Sequence, residues 1–317
     1  MKSLEATVVK HTGSHYLLSE LPQWNLFPAV LAGKVRLKKS AATNPVAVGD
    51  RVLCDVPEGV CEENPAVITA IRPRSNYVIR KSTNLSREAH IIAANLDKAF
   101  IIVTLAFPEV KLPFLDRILL TCEVYGVQPV IVLNKIDLLR RLEAESGGNM
   151  SGWFKKIYVG AGYSVIETSA VTGEGVDELR RMLGKGVNLL SGISGVGKSS
   201  IVKALDPGLN PRTAEISLSH LQGRHTTTFY EMYPLSSGGY VIDTPGIRSF
   251  GLLELEKEEI ALYFPEMRAL APECRFAPCT HTHEPECAVK AAVDSGAISP
   301  ERYASYLGML EEQTKYR

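Results

Sequence analysis

The residues best suited to chemistry are at positions 192–200, which read GISGVGKSS and match the pattern GxxxxGK[ST]. Glycines at the bends of such a loop let successive backbone N–H groups face an anion. Lys198 would then reach the β- and γ-phosphates of a nucleotide, and the Ser199 hydroxyl would bind its magnesium ion. We therefore predict a phosphate loop rather than a chance glycine-rich turn. Its expected phosphate contacts are Gly192, Ser194, Gly195, Val196, Gly197, Lys198, Ser199 and Ser200.

A second motif, NKxD at residues 134–137, follows the apolar run PVIVL. The carboxylate of Asp137 can accept hydrogen bonds from the ring N–H and the exocyclic amine of guanine, whereas adenine would face it with a ring-nitrogen acceptor. Asn134 would tie this loop to its neighbours, and the stem of Lys135 would lie against the base. The motif therefore favours a guanine nucleotide, and an adenine nucleotide is the weaker alternative.

Three further segments could complete this site. Small residues at Ser169 and Ala170 would let a backbone N–H approach the guanine carbonyl oxygen. Asp243 ends an apolar strand and is placed like the acidic residue that holds magnesium through water, while Gly246 can offer its N–H to a γ-phosphate. Thr227 is favoured as a further magnesium ligand, with its neighbours Thr226 and Thr228 as alternatives.

Strands and helices that alternate along the chain would position these loops. The runs at residues 99–105, 129–133 and 187–190 are apolar, as expected for parallel strands buried on both faces. A helix that begins at Pro113 and ends at Gly126 lies between the first two strands. Because ligands of open α/β sheets bind beyond the carboxyl ends of the strands, the loops that follow these runs should meet at one edge.

Residues 1–85 have a different pattern, of short strands separated by glycine-containing turns. About five strands are typical of a small barrel, and an oligonucleotide-binding (OB) type is the first choice. Residues 34–38 read KVRLK, so a strand there would have one apolar and one cationic face, and Arg72, Arg74, Arg80 and Lys81 extend the positive charge. A cationic strand face can follow a nucleic-acid backbone. Lysines on an edge strand that only prevent unwanted pairing are an equally simple explanation.

Composition and charge limit the class of protein and its location. The 317 residues have a formal net charge of zero, which argues against a protein that coats nucleic acid nonspecifically. The charge is uneven, at about +4 over residues 1–85 and about −4 over 256–317. The sequence lacks an apolar run long enough for a membrane span, and its N-terminus lacks the apolar core of a signal peptide. We therefore expect a cytoplasmic protein that does not contact membranes.

The order of the motifs indicates a family. The base-recognition loops precede the phosphate loop, which precedes GRHTTT at residues 223–228 and DTPG at 243–246. This order, with the flanking segments, closely resembles the circularly permuted, small-subunit-dependent GTPases of the RsgA or YjeQ family over essentially the whole chain. The resemblance implies an N-terminal OB-type barrel at 1–85, a permuted α/β GTPase domain at 86–255 and a mostly helical zinc-binding domain at 256–317. It also implies a monomer that binds GTP, GDP, the small ribosomal subunit and its rRNA.

Three of the six cysteines crowd into the last 44 residues, in the pattern CxxxxCxHxxxxxC. Three thiolates and one imidazole at this density predict a closed tetrahedral zinc site formed by Cys274, Cys279, His281 and Cys287. His283 competes with His281, and the resemblance to the family favours His281. A site with four protein ligands leaves no position for a reactive water, so we expect its role to be structural.

The residue after DTPG is Ile247, where many GTPases have a glutamine that positions the attacking water. We therefore expect slow intrinsic hydrolysis that a partner accelerates. The resemblance implies that the small ribosomal subunit is this partner and that His225 orients the water, alongside Lys198 and Thr227. The expected function is that of a GTP-hydrolysing assembly factor. A nucleotide-gated RNA-binding module or signalling switch with incidental hydrolysis is the alternative.

Overall fold

The computed structural model describes residues 2–12, 15–33, 45–81, 89–209, 230–243 and 255–315. Its strands are β1 (Lys2–Thr12), β2 (His15–Ser19), β3 (Leu26–Leu31), β4 (Arg51–Val56), β5 (Ala66–Ile71), β6 (Tyr77–Lys81), β7 (Ala89–Ala94), β8 (Lys98–Val103), β9 (Gln128–Leu133), β10 (Ser164–Glu167), β11 (Val187–Ser191), β12 (Glu231–Pro234) and β13 (Tyr240–Asp243). Its helices are α1 (Leu112–Val124), α2 (Ile136–Ser146), α3 (Met150–Gly160), α4 (Val176–Leu183), α5 (Lys198–Leu205), α6 (Lys257–Ile260), α7 (Pro265–Leu270), α8 (Ala288–Asp294) and α9 (Pro300–Lys315).

The first five strands form a closed barrel in the order β1-β2-β3-β5-β4, and β4 pairs back onto β1. Side chains that alternate along these strands fill its interior, among them Val8, Leu18, Val52 and Ile68. The five-stranded barrel predicted from the sequence is thus confirmed. Its third strand, β3, was not predicted, because Pro28 in its middle removes a backbone donor and disfavours a strand assignment. The cationic strand expected at residues 34–38 lies outside the described residues.

The central sheet has the order β10-β9-β8-β11-β13-β12. Its first five strands are parallel, and β12 alone runs antiparallel, to β13. Strand β8 has five consecutive buried residues and β9 has the same pattern, as parallel strands covered on both faces require. The loops after β8, β9, β10, β11 and β13 therefore leave the same edge of the sheet.

Two layers of helices cover this sheet. On one face α1 and α3 pack with Leu115, Phe154 and Tyr158 in the largest hydrophobic cluster, which also includes Val9 and Val48 from the barrel segment. On the other face α4 and α5 bury Leu179 and Ile201, among other residues, in a second cluster. The expected permuted α/β GTPase domain is therefore present as a doubly covered sheet, which continues into the barrel where Lys10 of β1 pairs with Glu231 of β12.

The C-terminal segment is mostly helical and packs on α1. Its own core contains Phe264, Met267 and Tyr306, and Leu120 of α1 completes this cluster. An antiparallel ribbon of β6 and β7 joins the barrel to the central sheet, and the expected domain boundary at residue 85 falls between its two strands. None of the helices in the described ranges combines the length and the apolar character needed to cross a membrane.

Candidate nucleotide site and metal cluster

The phosphate loop connects β11 to α5. Gly195 and Gly197 have φ angles of 88° and 90°, a region that glycine adopts without steric cost. A Cβ atom on Gly197 would lie 2.5 Å from Nδ2 of Asn134, so this position also requires glycine for close packing. Val196 is buried, whereas Ser194, Gly195, Ser199 and Ser200 are exposed. The loop is therefore anchored in the core by Val196, while its exposed residues remain accessible to an anion.

Asn134 connects three of the predicted loops. Its buried side-chain amide donates to the carbonyl oxygen of Val196 at 2.8 Å and accepts from the Thr168 hydroxyl at 3.2 Å. The asparagine thus holds the end of β9, the phosphate loop and the loop after β10 in one arrangement. Thr168 was not singled out from the sequence, because a threonine in a loop carries no signal of its own.

Lys135 has a φ of 60°, and its ammonium group donates to two backbone carbonyls. Nζ lies 2.7 Å from the oxygen of Gly195 and 2.6 Å from the oxygen of Phe107, in the loop after β8. These bonds hold the ammonium group between the phosphate loop and the loop after β8, while the methylene stem of such a lysine can cover a planar base. The loop around Phe107 was missed by sequence reasoning, since its contribution is a backbone carbonyl.

Asp137 lies in the first turn of α2, and Ser169 donates to its Oδ1 at 2.7 Å. The same Ser169 hydroxyl accepts from the backbone N–H groups of Val171 at 3.3 Å and Thr172 at 3.2 Å. Ser169 therefore fixes both the carboxylate and the loop that carries Ala170. The arrangement presents a carboxylate with a defined orientation, two positions after Lys135.

Asp243 ends β13 next to the start of α5. Its Oδ1 lies 2.6 Å from Nζ of Lys198, and both side chains are largely buried. The phosphate-loop lysine and the predicted magnesium-binding carboxylate are thus adjacent. The predicted residues His225, Thr227 and Gly246, with Thr226, Thr228 and Ile247, lie outside the described residues.

The four predicted metal ligands converge within the C-terminal segment, where His281 and Cys287 are buried and Cys274 and Cys279 are half-buried. The ligand atoms of Cys274, Cys279, His281 and Cys287 all lie within 4.8 Å of one another. Nδ1 of His281 is 3.3 Å from the sulfur of Cys287 and 3.6 Å from that of Cys274. His283 is exposed and contacts the Thr282 hydroxyl instead, so the structure selects His281.

Two groups of this cluster have shifted pKa values. Burial raises the pKa of the Cys279 thiol to about 12 and lowers that of the His281 imidazole below its usual value. A neutral imidazole is the form that binds a metal, and a bound cation would displace the thiol protons. Tyr303 and Tyr306 of α9 donate to the carbonyls of His281 and Thr280, both at 2.6 Å, and so support the cluster from behind. This cluster could hold a metal ion.

Comparison with known proteins identifies the relatives of this chain. The model of the RsgA GTPase family matches residues 71–253. The chain belongs to this family, and it is a GTPase. The small ribosomal subunit biogenesis GTPase RsgA of Bacteroides fragilis is 45% identical over 99% of both chains. Its counterpart from Porphyromonas gingivalis is 44% identical over 99% of this chain and 98% of its own length.

Two solved structures agree with this assignment. The crystal structure of YjeQ from Thermotoga maritima superposes with a TM-score of 0.76 at 32% identity, and the similarity covers 100% of both chains. YloQ, described as a circularly permuted GTPase, has a TM-score of 0.75 at 25% identity over 100% of this chain and 96% of its own. The permuted order of motifs predicted from the sequence is therefore confirmed as a family property.

Proposed function

We propose that this RsgA-family GTPase hydrolyses GTP during maturation of the small ribosomal subunit. The observation that carries the proposal is the convergence of the phosphate loop with Asn134, Lys135 and Asp137 at one sheet edge. The names of the similar proteins from Bacteroides fragilis and Porphyromonas gingivalis supply the biological setting. Such a factor would act in the cytoplasm, as a monomer.

The proposed nucleotide contacts follow from the positions of the side chains. Asp137, held by Ser169, accepts the two N–H groups of the guanine edge, while Ala170 presents its backbone N–H to the guanine carbonyl. The backbone of residues 192–200 surrounds the phosphates, and Lys198 neutralises their charge. Oδ1 of Asp243 lies 2.6 Å from Nζ of Lys198, and Asp243 and Ser199 are the residues that would hold the magnesium ion.

The chemical step needs a water that attacks the γ-phosphate in line. We assign the orientation of that water to His225, and the remaining magnesium and γ-phosphate contacts to Thr227 and Gly246. Magnesium supplies charge neutralisation in this reaction, and the isoleucine at 247 cannot position water. Intrinsic turnover is therefore expected to be slow.

The Cys₃His cluster is proposed to bind one structural zinc ion. Three soft thiolates and one imidazole, all partly or fully buried, suit zinc better than magnesium or calcium, which prefer oxygen ligands. The barrel is proposed to contact rRNA. Exposed Arg51 on β4 and Arg72 after β5 are cations of the described barrel that could contribute to such a surface.

Turnover measured with and without purified small subunits tests the function. We expect the subunits to accelerate GTP hydrolysis, and we expect His225→Ala to retain GDP binding while it loses most of this acceleration. A wild-type enzyme that is fast alone, or that small subunits leave unchanged, would contradict the proposal and favour a switch with incidental hydrolysis.

Base selectivity is tested by Asp137→Asn. An amide in place of the carboxylate can donate to the 2-oxo group of xanthine, so nucleotide preference should move from GTP towards XTP. Asp177→Asn is the matched control, because Asp177 is an exposed carboxylate in the first turn of α4 and pairs with Arg180 instead. Retained GTP preference in Asp137→Asn would refute the assignment of the base site.

A further inference from the structure

Phe107, in the loop between β8 and α1, breaks two local rules. Its φ is 43°, a region that bulky side chains rarely adopt because the Cβ approaches the backbone. Its side chain is also 74% exposed, and the residue belongs to none of the hydrophobic clusters formed by the described residues. The positive φ and the exposed apolar ring both cost free energy. Such costs at the edge of a ligand site indicate that the side chain has a function.

Each of the other five non-glycine residues with positive φ in the described ranges has a side-chain partner or a place in a cluster, including Asn95, which bonds to Ser75 and Gly49, and Glu286, which pairs with Arg275. Lys135 bridges two carbonyls, and His281 is one of the four metal-cluster residues. Trp24 stacks on Tyr240, with ring centroids 5.5 Å apart. Phe107 differs from these because its side chain is apolar and yet mostly exposed to solvent.

The backbone of Phe107 already has a role that does not need the ring. Its carbonyl accepts from Nζ of Lys135 at 2.6 Å, and the same ammonium group reaches Gly195 of the phosphate loop. A glycine would offer the same carbonyl without the steric cost of a positive φ. The phenyl ring therefore needs a separate explanation. Because the carbonyl of Phe107 is bonded to Lys135, a molecule that touched the ring would act directly beside the nucleotide loops.

We propose that the ring of Phe107 stacks on an unpaired base of small-subunit RNA, and that this contact is transmitted through its carbonyl to Lys135 and the phosphate loop. The proposal rests on the function proposed above, and it names the chemistry by which the subunit is sensed at the nucleotide site. A base offers a flat face to a single protruding ring.

Two other occupants are outcomes of the test. A ring that covered the bound nucleotide would contribute to the GDP affinity of the isolated protein, which the variants described below measure. A protein partner would favour a continuous apolar patch, whereas Phe107 is followed by half-buried Pro108, exposed Glu109 and, two positions later, exposed Lys111. An aromatic ring that is followed along the chain by exposed charged residues is better suited to base stacking.

The test compares Phe107→Tyr, Phe107→Leu and Phe107→Ala in the full-length protein, with purified small subunits. Stacking on a protein aromatic contributes about 1–3 kcal/mol per base, so the ratio of stimulated to unstimulated turnover should fall roughly 5- to 150-fold in the alanine and leucine variants. Tyrosine should preserve the ratio to within about twofold, because it keeps the aromatic face. Val159→Ala removes another exposed apolar side chain, on α3, and should leave the ratio unchanged.

A fourth variant, Phe107→Gly, separates function from stability. Glycine relieves the positive φ, so its thermal midpoint should equal or exceed that of the wild type while its stimulation falls as far as that of alanine. A ring that served the fold would instead give a lower midpoint.

Several results would overturn the inference. Full stimulation in Phe107→Ala, or a leucine variant as active as wild type, would exclude stacking. If the GDP affinity of the isolated protein decreased in the order Phe, Tyr, Leu, Ala at position 107, the ring would stack on the nucleotide and not on RNA. If small subunits do not stimulate even the wild type, the proposed function fails together with this inference, whereas a wrong order among the variants refutes the inference alone.

Discussion

The barrel and the C-terminal segment join the central GTPase sheet in different ways. The barrel meets the β12–β13 hairpin, through the Lys10–Glu231 pair at 3.0 Å and the ring of Trp24 on Tyr240. The C-terminal segment meets helix α1, where Arg302 is 1% exposed. The barrel junction thus consists of partly exposed contacts on β12 and β13, the strand that ends at Asp243. The C-terminal junction consists of a buried cluster of charged groups on α1.

The Arg302 cluster has a defined geometry. The guanidinium donates to both oxygens of Glu266, at 2.7 and 3.1 Å, and to Oδ1 of Asp116 at 2.7 Å. Tyr158 also donates to that Asp116 oxygen, and the ring of Phe264 lies 4.5 Å from the guanidinium carbon. Because Asp116 is on α1 and Glu266 is on α7, this one side chain fixes how the C-terminal segment sits on the GTPase domain.

The difference suggests a division of tasks. A buried, bidentate ion cluster tolerates few alternative arrangements, since any displacement leaves charges without partners. The partly exposed contacts at the barrel tolerate small displacements, because solvent can replace a lost partner. They involve the β12–β13 hairpin, which lies in the sequence between the segments that carry His225 and Gly246. The C-terminal junction is therefore expected to be rigid, and the barrel junction adjustable.

Arg302→Met should have the largest effect. It leaves Asp116 and Glu266 buried without their cation, and breaking a buried pair in this way typically costs about 3–5 kcal/mol. Urea unfolding should show that loss in the free energy of unfolding. Arg268→Ala is the matched control, because Arg268 joins the same two elements through Glu123 at 3.5 Å but is half exposed, and its loss should be under about 1 kcal/mol.

The loss in Arg302→Met should also depend on pH. Burial already raises the pKa of Asp116 above its usual value, against the opposing effect of Arg302. Without the arginine the folded-state pKa rises further, so the folded state is favoured when Asp116 is protonated. The variant should therefore be least impaired below the usual aspartate pKa of about 3.9 and lose stability as the pH rises through the folded value. A loss that is the same at all pH values, or below about 1 kcal/mol, would contradict the role of this cluster.

These junctions also show how far the sequence could be used. Asp137, Lys198 and Cys279 belong to motifs whose spacing reflects local chemistry, so the sequence alone predicted the nucleotide site of the first two and the metal cluster of the third. Arg302 and Asp116 are 186 positions apart and belong to no motif, and an arginine in a helix is usually exposed. Their contact depends on how two separately folded layers pack, which no local pattern encodes.

The barrel provides a second example. Short strands separated by glycine-containing turns predicted a barrel of about five strands, whereas Pro28 concealed β3, whose strand character comes from its pairing with β2 and β5. The contact of Phe107 with Lys135 could not be predicted from the sequence for another reason: it uses a backbone carbonyl, which every residue has. What could be predicted was chemistry carried by side chains at fixed spacing, and what could not was packing between distant segments.

Trp24→Ala should have an intermediate effect. The indole stacks on Tyr240 and packs against the main hydrophobic cluster, so its removal should cost about 2–3 kcal/mol, which includes about 0.5–1.5 kcal/mol for the ring pair itself. Trp24→Phe keeps a ring and should recover part of that loss. Thermal unfolding would measure both variants. A cost for Trp24→Ala as large as that of Arg302→Met would remove the proposed difference between the two junctions.

The Lys10–Glu231 pair should contribute least to stability. Both side chains are about one-third exposed, at 32% and 30%, so solvent screens their attraction and the coupling should be about 0.2–1 kcal/mol. A double-mutant cycle with Lys10→Ala and Glu231→Ala measures it, and 0.5 M salt should reduce it further. Because Glu231 pairs in register with Asp243 across the hairpin, an adjustable junction predicts that this coupling energy differs between GDP and a GTP analogue. Equal coupling in the two nucleotide states would show that the barrel junction is as rigid as the one at Arg302.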